Sequence, residues 1–196
     1  MDVLVVGDLG LDDYLDEAAP RAGGCALNVA CALRAAGAER VAAAGPIGDD
    51  GGPLLDLLRA RGVDAALVER HAGATPRQRI AVRPDGERDF AGYLPGVLAG
   101  WRPGSALEAA LRAAGLVYVP AFDVTRDLAA RAWAARPAGA PLALDLMNMT
   151  DLDDAFVDEA VARAAVVFAG LNAERDAARV ERLAGLAARP GAALVV

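Results

Sequence analysis

Two glycines open the most informative segment of the chain, which reads Gly23-Gly24-Cys25-Ala26-Leu27-Asn28-Val29-Ala30. Glycines allow backbone amides to approach a ligand closely at the N-terminus of a helix. The apolar residues that follow predict a buried helix over 25–36, which Gly37 ends. Asn28 falls in the first turn of this helix, where a buried amide without a partner costs about 1–3 kcal/mol. We therefore expect a partner for Asn28, either a ligand hydroxyl or a neighbouring backbone carbonyl.

An acidic loop precedes this segment. The apolar run 3–6 predicts a buried strand that ends at Gly7. The loop beyond it contains Asp8, Asp12 and Asp13. It lacks the Gly-x-Gly-x-x-Gly spacing, and its carboxylates would repel a pyrophosphate, so dinucleotide binding is disfavoured. Carboxylates do accept hydrogen bonds from sugar hydroxyls, although aspartates are also ordinary turn residues.

Strands and helices alternate along most of the chain, which is typical of a mainly parallel α/β sheet covered by helices on both faces. Ligands of such sheets bind at the carboxyl ends of the strands. Ser105 begins one helix in a predicted capping box with Glu108. The chain ends within an apolar run, which we interpret as a domain truncated in its last strand, with a genuine edge strand as the alternative. The predicted strands cover 3–6, 41–45, 116–119, 142–146, 166–168 and 192–196, and the predicted helices cover 25–36, 53–61, 105–114, 125–136, 153–164 and 173–188.

A different pattern interrupts this alternation. Residues 77–83 alternate in polarity, Pro84-Asp85-Gly86 predicts a turn, and residues 87–92 are again extended, which together predict a β-hairpin. Its alternating charges are unsuitable for a central parallel strand. We interpret the hairpin as a lid at 77–93, inserted in a single α/β domain over 1–196. The alternative is an exposed hairpin with no role at a site.

Composition disfavours several classes of chemistry. The chain has one histidine, two cysteines, one serine and no lysine. A lysine-dependent phosphate or Schiff-base site, a Ser-His-Asp site and a tetrahedral zinc site are therefore not expected. A net charge of −7 argues against nucleic acid and anionic membranes as partners. The N-terminus does not resemble a signal peptide, and Cys25 and Cys31 are expected to be reduced, so we expect a cytoplasmic protein.

In this order, the segments resemble the PfkB (ribokinase-like) family of carbohydrate kinases. The resemblance covers essentially the whole chain, and its motifs together are specific. It rests on the glycine pair and helix at 23–30, on Leu33 and Gly37, on Gly45-Pro46-Ile47-Gly48-Asp49-Asp50, on Gly7 with Asp12 five residues later, on Gly62-Val63-Asp64 and on the hairpin.

The resemblance implies a ribokinase-like fold, a Rossmann-type sheet with a small β-lid. It also implies a kinase that transfers the γ-phosphate of ATP to a sugar hydroxyl with the help of Mg²⁺. Asp12 and Asn28 would bind hydroxyls of a small-molecule sugar. The backbone of Gly23 and Gly24 would line the same pocket.

A second group of residues would lie near the phosphates and Mg²⁺, again by resemblance. It comprises Asp145 at the end of a strand, Asn172 and Glu174. Glu174 comes one position early for the Asn-x-x-Glu motif of the family. The family's Gly-Ala-Gly-Asp segment, which carries the catalytic base, does not occur in the sequence. We therefore expect the base to lie beyond Val196, and the chain alone to have little or no kinase activity.

Several specificities and classes stay open. Residues 88–97 and the region from Leu144 onward are most similar to fructoselysine 6-kinases, while ribokinase, fructokinase and nucleoside kinase specificities also fit Asp12 and Asn28. A non-catalytic sugar-binding remnant without the kinase half is the main alternative class. A Rossmann-type dehydrogenase is a further one, disfavoured by the acidic first loop. The resemblance also allows a homodimer formed through the lid.

Overall fold

The computed structural model describes residues 2–188 and 194–195, which form two sheets and six α-helices. Short 3₁₀ turns at Gly96–Leu98 and Asp123–Thr125 connect some of the elements. In chain order the elements are β1 (Val3–Val6), β2 (Gly10–Tyr14), β3 (Arg21–Gly23), α1 (Cys25–Ala35), β4 (Val41–Ile47), α2 (Gly52–Ala60), β5 (Asp64–Arg70), β6 (Arg77–Val82), β7 (Arg88–Leu94), α3 (Ser105–Ala113), β8 (Leu116–Pro120), α4 (Arg126–Ala135), β9 (Leu142–Asp145), α5 (Asp154–Arg163), β10 (Val166–Phe168), α6 (Ala177–Ala187) and β11 (Leu194–Val195).

The main sheet has seven parallel strands in the order β11-β10-β9-β8-β1-β4-β5. Its inner strands are apolar because both of their faces are covered. Along β1, Leu4 and Val6 point into one core and Val5 points into the other. Helices α1 and α2 pack on the Val5 side, whereas α3, α4, α5 and α6 pack on the Leu4 side. The predicted α/β fold with helices on both faces is confirmed.

A second sheet, which we call the lid sheet, has the strand order β3-β2-β6-β7. Its β6–β7 hairpin matches the predicted one, with a bulge between Arg79 and Ile80. Strands β2 and β3 were not predicted, because the acidic residues of β2 indicated a loop. In the structure Gly10 pairs with Gly23, and Leu11 pairs with Arg77. The acidic loop is therefore the first strand of the lid sheet.

Two local predictions are wrong, and one strand was missed. Ser105 does not cap α3, because Gly104 occupies the N-cap position and shifts Ser105 into the first turn. Helix α6 begins at Ala177 rather than near 173, since Asn172 folds the preceding residues into a turn of their own. Strand β5 was not predicted at all, because it alternates exposed and half-buried residues at the edge of the sheet.

Of the predicted final strand at 192–196, the part at Leu194–Val195 is present, and the rest lies outside the described residues. Within the part of the chain that the structure describes, none of the helices combines the length and the apolar character needed to cross a bilayer.

Candidate functional site

A cleft of about 920 Å³ opens between the lid sheet and the carboxyl ends of β1, β8, β9 and β10. This is the edge at which ligands of parallel α/β sheets bind. Most of the polar side chains that line it are acids or amides, and its apolar part is rich in aromatic rings. The lining includes Asp8, Asp12, Gly24, Asn28, Gln78, Arg88, Phe90, Tyr93, Phe122, Asp123, Asp145, Met147, Asp151 and Phe168.

The two glycines allow the lid sheet and α1 to meet at this cleft. Gly24 has a φ of +92°, and a Cβ atom there would lie 2.6 Å from the backbone oxygen of Asp8. A Cβ atom at Gly23 would lie 2.3 Å from Oδ1 of Asp12. A larger residue at Gly24 would collide with the backbone of Asp8 and Gly10, whereas one at Gly23 would displace the carboxylate of Asp12.

Asp8 joins the first strand to the start of α1. Its carboxylate accepts hydrogen bonds from the backbone N–H groups of Cys25 (3.0 Å) and Ala26 (3.4 Å). It therefore takes the role of an N-cap, although it is far away in sequence. The side chain is 4% exposed, and burial raises the pKa of Asp8 to about 6 against the pull of these hydrogen bonds. An anion would have to compete with Asp8 for this helix N-terminus.

Asp12 and Asn28 both line the cleft, Asp12 from β2 and Asn28 from α1. Asp12 is half-buried, and this burial raises the pKa of its carboxyl, with Arg88 acting in the opposite direction. Asn28 is exposed rather than buried as expected, because it lies on the side of α1 that faces the cleft. Its amide is therefore accessible to a ligand.

Asp145 ends β9 and is held from two sides. The hydroxyl of Tyr118 donates to Oδ2 (2.9 Å), and the backbone N–H of Met147 donates to Oδ1 (2.9 Å). Burial, with the charge of Asp145, raises the pKa of Tyr118, so this hydroxyl stays protonated as a donor. Met147 and Met149 have φ angles of +51° and +58°, a backbone conformation that is strained for residues other than glycine. The turn after β9 is thus bent to present Asp145 at the cleft.

Asn172 and Glu174 do not line the cleft, and both are exposed. Oδ1 of Asn172 accepts hydrogen bonds from the backbone N–H groups of Glu174 (3.1 Å) and Arg175 (2.9 Å). The backbone N–H of Asn172 donates to Oδ2 of Asp176 (3.0 Å). The structure therefore brings Asp12, Gly24, Asn28 and Asp145 to one cleft, seats Gly23 against Asp12, and leaves Asn172 and Glu174 in a local turn outside it.

Several lining residues were not singled out by sequence. Asp123 and Asp151 follow β8 and β9, and their position beyond the carboxyl ends of neighbouring strands was the available signal. Arg88 and Phe90 share one face of β7 by simple alternation. Tyr93 reaches the same cleft only because of the bulge opposite Arg79, which no local pattern reveals.

The electrostatics of the cleft are strongly acidic. Five carboxylates contribute to the lining, and Arg88 is the one cationic side chain among the lining residues. Among the described residues, no three of the Asp, Glu, His and Cys side chains converge as metal ligands would. The carboxylates are therefore spread around the cleft instead of being gathered at one point.

A parallel sheet with helices on both faces, a lid sheet and a polar cleft between them define the ribokinase-like class of α/β proteins. The model of the pfkB family of carbohydrate kinases matches residues 12–178. The chain belongs to this family. No curated protein sequence matches it.

Solved structures of three kinases illustrate the likeness in fold. A nucleoside kinase from Burkholderia thailandensis in complex with inosine is 20% identical, with a TM-score of 0.70, and the match covers 94% of this chain and 64% of that one. A ribokinase from Cryptococcus neoformans var. grubii in complex with ADP is 20% identical, with a TM-score of 0.72 and coverages of 98% and 70%. A fructokinase from Xylella fastidiosa is 24% identical, with a TM-score of 0.65 and coverages of 93% and 63%. The chain thus spans about two thirds of the length of these kinases.

Proposed function

We propose that this chain binds the sugar acceptor of an ATP-dependent carbohydrate kinase. One observation carries the proposal: Asp12 on a lid strand and Asn28 on α1 line the same cleft, and the glycine pair lies between them. A carboxylate accepts hydrogen bonds from hydroxyl groups, while a carboxamide both donates and accepts them. This pair suits a polyol, because its neighbouring hydroxyls can both donate and accept hydrogen bonds.

The lid sheet supports a second part of the proposal. Gln78, Arg88, Phe90 and Tyr93 line the cleft from β6 and β7. We propose that this sheet covers the bound sugar and keeps water away from the transferred phosphoryl group, which protects a kinase against hydrolysis of its nucleotide.

The nucleotide and metal fit the described residues less well. Five carboxylates and one guanidinium would repel a triphosphate, and no three acidic side chains converge on a metal position within the described ranges. We keep ATP as the proposed phosphate donor, supported by the family and by the ADP complex of the Cryptococcus ribokinase. A role for Asp145, Asn172 and Glu174 near phosphates and Mg²⁺ stays a prediction, and we derive no chemical step from it.

The identity of the sugar is a more specific part of the proposal. We favour a ketose derivative such as fructoselysine on the similarity of residues 88–97, with ribokinase, fructokinase or nucleoside kinase specificity as alternatives. Because the 196 residues contain no Gly-Ala-Gly-Asp segment, a binding role without phosphoryl transfer is the second candidate. We expect this chain alone to bind sugar without turning over ATP.

Calorimetric titration of the chain with D-fructose and D-ribose tests the proposal. We expect Asp12→Asn and Asn28→Ala to weaken binding at least about tenfold, since the first replaces a charged acceptor with a neutral amide and the second removes the amide that would bind a hydroxyl. Asp16→Asn is the matched control, because Asp16 is exposed and does not line the cleft. Equal affinities for all four proteins, or no binding of either sugar, would contradict the proposal. Phosphorylation of either sugar by the chain with Mg²⁺ and ATP would contradict the expected inactivity.

A further inference from the structure

One hydroxyl group at the cleft has no hydrogen-bond partner among the described residues. It belongs to Tyr93, which lines the cleft from β7, and its oxygen atom is buried. The buried hydroxyls of Thr75, Thr125 and Tyr118 are all hydrogen-bonded. A buried hydroxyl that has lost water and found no other partner lowers the stability of the fold. The free chain therefore tolerates an unfavourable group at this position.

Two other buried side-chain atoms lack a partner among the described residues, and neither concerns the cleft. They are the Nε atoms of Arg136 and Arg182, which do not line it. The remaining nitrogens of both guanidinium groups donate hydrogen bonds to neighbouring helices and loops. Tyr93, in contrast, has a single polar side-chain atom, so its whole hydrogen-bonding capacity is unused.

The backbone of β7 turns Tyr93 toward the cleft. Its bulge leaves Ala91 without a paired residue between Phe90 and Gly92. In a regular strand Phe90 and Tyr93 would lie on opposite faces, whereas both line the cleft. Bulges frequently redirect a side chain beside a binding site. The orientation of Tyr93 thus depends on a specific irregularity of the lid sheet.

The ring of Tyr93 is held in place, and its hydroxyl stays protonated. The ring meets that of Phe122 edge to face, with centroids 5.4 Å apart and an angle of 89° between the planes. Burial raises the pKa of Tyr93, and the charge of Asp8 acts in the same direction. The hydroxyl is therefore available as a donor. The ionised carboxylates of the cleft can only accept hydrogen bonds, so Tyr93 adds a function that they lack.

We propose that Tyr93 is a specificity-determining residue whose hydroxyl donates a hydrogen bond to an oxygen of the bound sugar. This inference rests on the proposed function and adds a contact from the lid to those of Asp12 and Asn28. The sugar supplies the partner that the free chain lacks. Because the hydroxyl oxygen is covered in the free chain, the sugar must shift the lid to reach it. Binding and the position of the lid are thereby coupled.

Tyr93→Phe tests the free chain first, since it removes the hydroxyl and keeps the ring against Phe122. We expect its urea unfolding midpoint to equal or exceed that of the native chain, because an unpaired buried group is lost. Tyr118→Phe is the contrasting variant: it removes a hydroxyl that donates to Asp145, and its midpoint should fall. An equal fall in both variants would show that the Tyr93 hydroxyl has a structural partner and would overturn the inference.

Calorimetric titration with D-fructose and D-ribose then tests binding. Tyr93→Phe should weaken the binding of the preferred sugar about three- to tenfold, the effect of one hydrogen bond. Tyr14→Phe is the matched control, because Tyr14 also lies on the lid sheet but does not line the cleft, and it should bind like the native chain. Native affinity of Tyr93→Phe for both sugars would overturn the inference and leave the proposed function standing. Binding of neither sugar by the native chain would overturn both.

Discussion

At the scale of single residues, Asp8 couples stability to pH. Its buried carboxylate caps α1, and burial raises its pKa from 3.8 to about 6. The folded chain therefore binds this proton more tightly than the unfolded chain does. A difference of about two pKa units corresponds to about 3 kcal/mol. This contribution to stability is fully present below about pH 4 and is lost as the pH rises through 6.

Asp8→Asn should abolish this dependence, because the amide keeps an oxygen for the helix N–H groups but has no titrating proton. We expect the free energy of unfolding of the native chain to fall, relative to the variant, by up to about 3 kcal/mol between pH 4 and pH 7. Urea unfolding at a series of pH values measures the difference. Asp16→Asn changes an exposed carboxylate. Its free energy of unfolding should vary with pH in the same way as that of the native chain. Parallel curves for Asp8→Asn would refute the assigned pKa.

The residues that line the cleft show which parts of the site could be predicted from the sequence. Asp12 and Asn28 could be chosen in advance because the resemblance to the PfkB family implies hydroxyl-binding residues at their positions, and both line the cleft. The exposure of Asn28 was not predictable, since an apolar helix indicates burial, and the open cleft beside it depends on the tertiary fold. Asp123 and Asp151 have no local pattern that separates them from ordinary loop acids.

At the scale of elements, the Gly-Asp-Asp loop after β4 anchors the lid sheet. Asp50 accepts hydrogen bonds from the backbone N–H of Thr75 (2.8 Å) and from Arg77 (2.5 Å), and Arg77 also donates to Asp13 (2.8 Å). Burial alone would raise the pKa of Asp50, but the hydrogen bonds from Thr75 and Arg77 outweigh it and hold the pKa at about 2. Arg77 thus links β6 to β2 and to the loop after β4 of the main sheet.

Arg77→Met should loosen the lid, because it leaves Asp13 and Asp50 partly buried without their cation. We expect a loss of about 1–3 kcal/mol in the free energy of unfolding, together with faster hydrogen exchange of β6 and β7 amides. Arg79→Met is the control on the same strand, since Arg79 is exposed and forms no ion pair among the described residues. An equal effect of the two substitutions would show that Arg77 is not an anchor.

The elements that sequence reasoning missed share one property. Strands β2, β3 and β5 are short, exposed or acidic, and their order comes from partners distant in the chain, as when Asp13 pairs with Arg79. The buried strands of the main sheet and the helices around it were predictable, because their apolar runs and periodicity are local. The register between distant strands depends on tertiary contacts, and no local sequence pattern indicates it.

At the scale of the whole molecule, apolar exposure is concentrated on the lid. Large apolar residues that remain exposed include Leu15, Val82, Phe90 and Leu94, all on or beside the lid sheet. The lid also ends in an edge strand, β7, whose outer backbone groups have no neighbouring strand among the described residues. An exposed edge with apolar side chains is the kind of surface that pairs with another chain.

We propose that two copies of the chain associate through their lid sheets. A two-fold contact brings each patch against its own copy, and the mixed charges of the hairpin, such as Arg83 and Asp85, allow this without net repulsion. Sedimentation velocity at increasing concentration should show a dimer for the native chain and a monomer for Leu94→Asp, which places a charge at the exposed edge strand β7. Ala178→Asp adds the same charge to an exposed position outside the lid and should leave the dimer intact. A native chain that stays monomeric at high concentration, or a control that dissociates equally, would rule out this interface, because a dimer held through the lid must respond to charge at the lid alone.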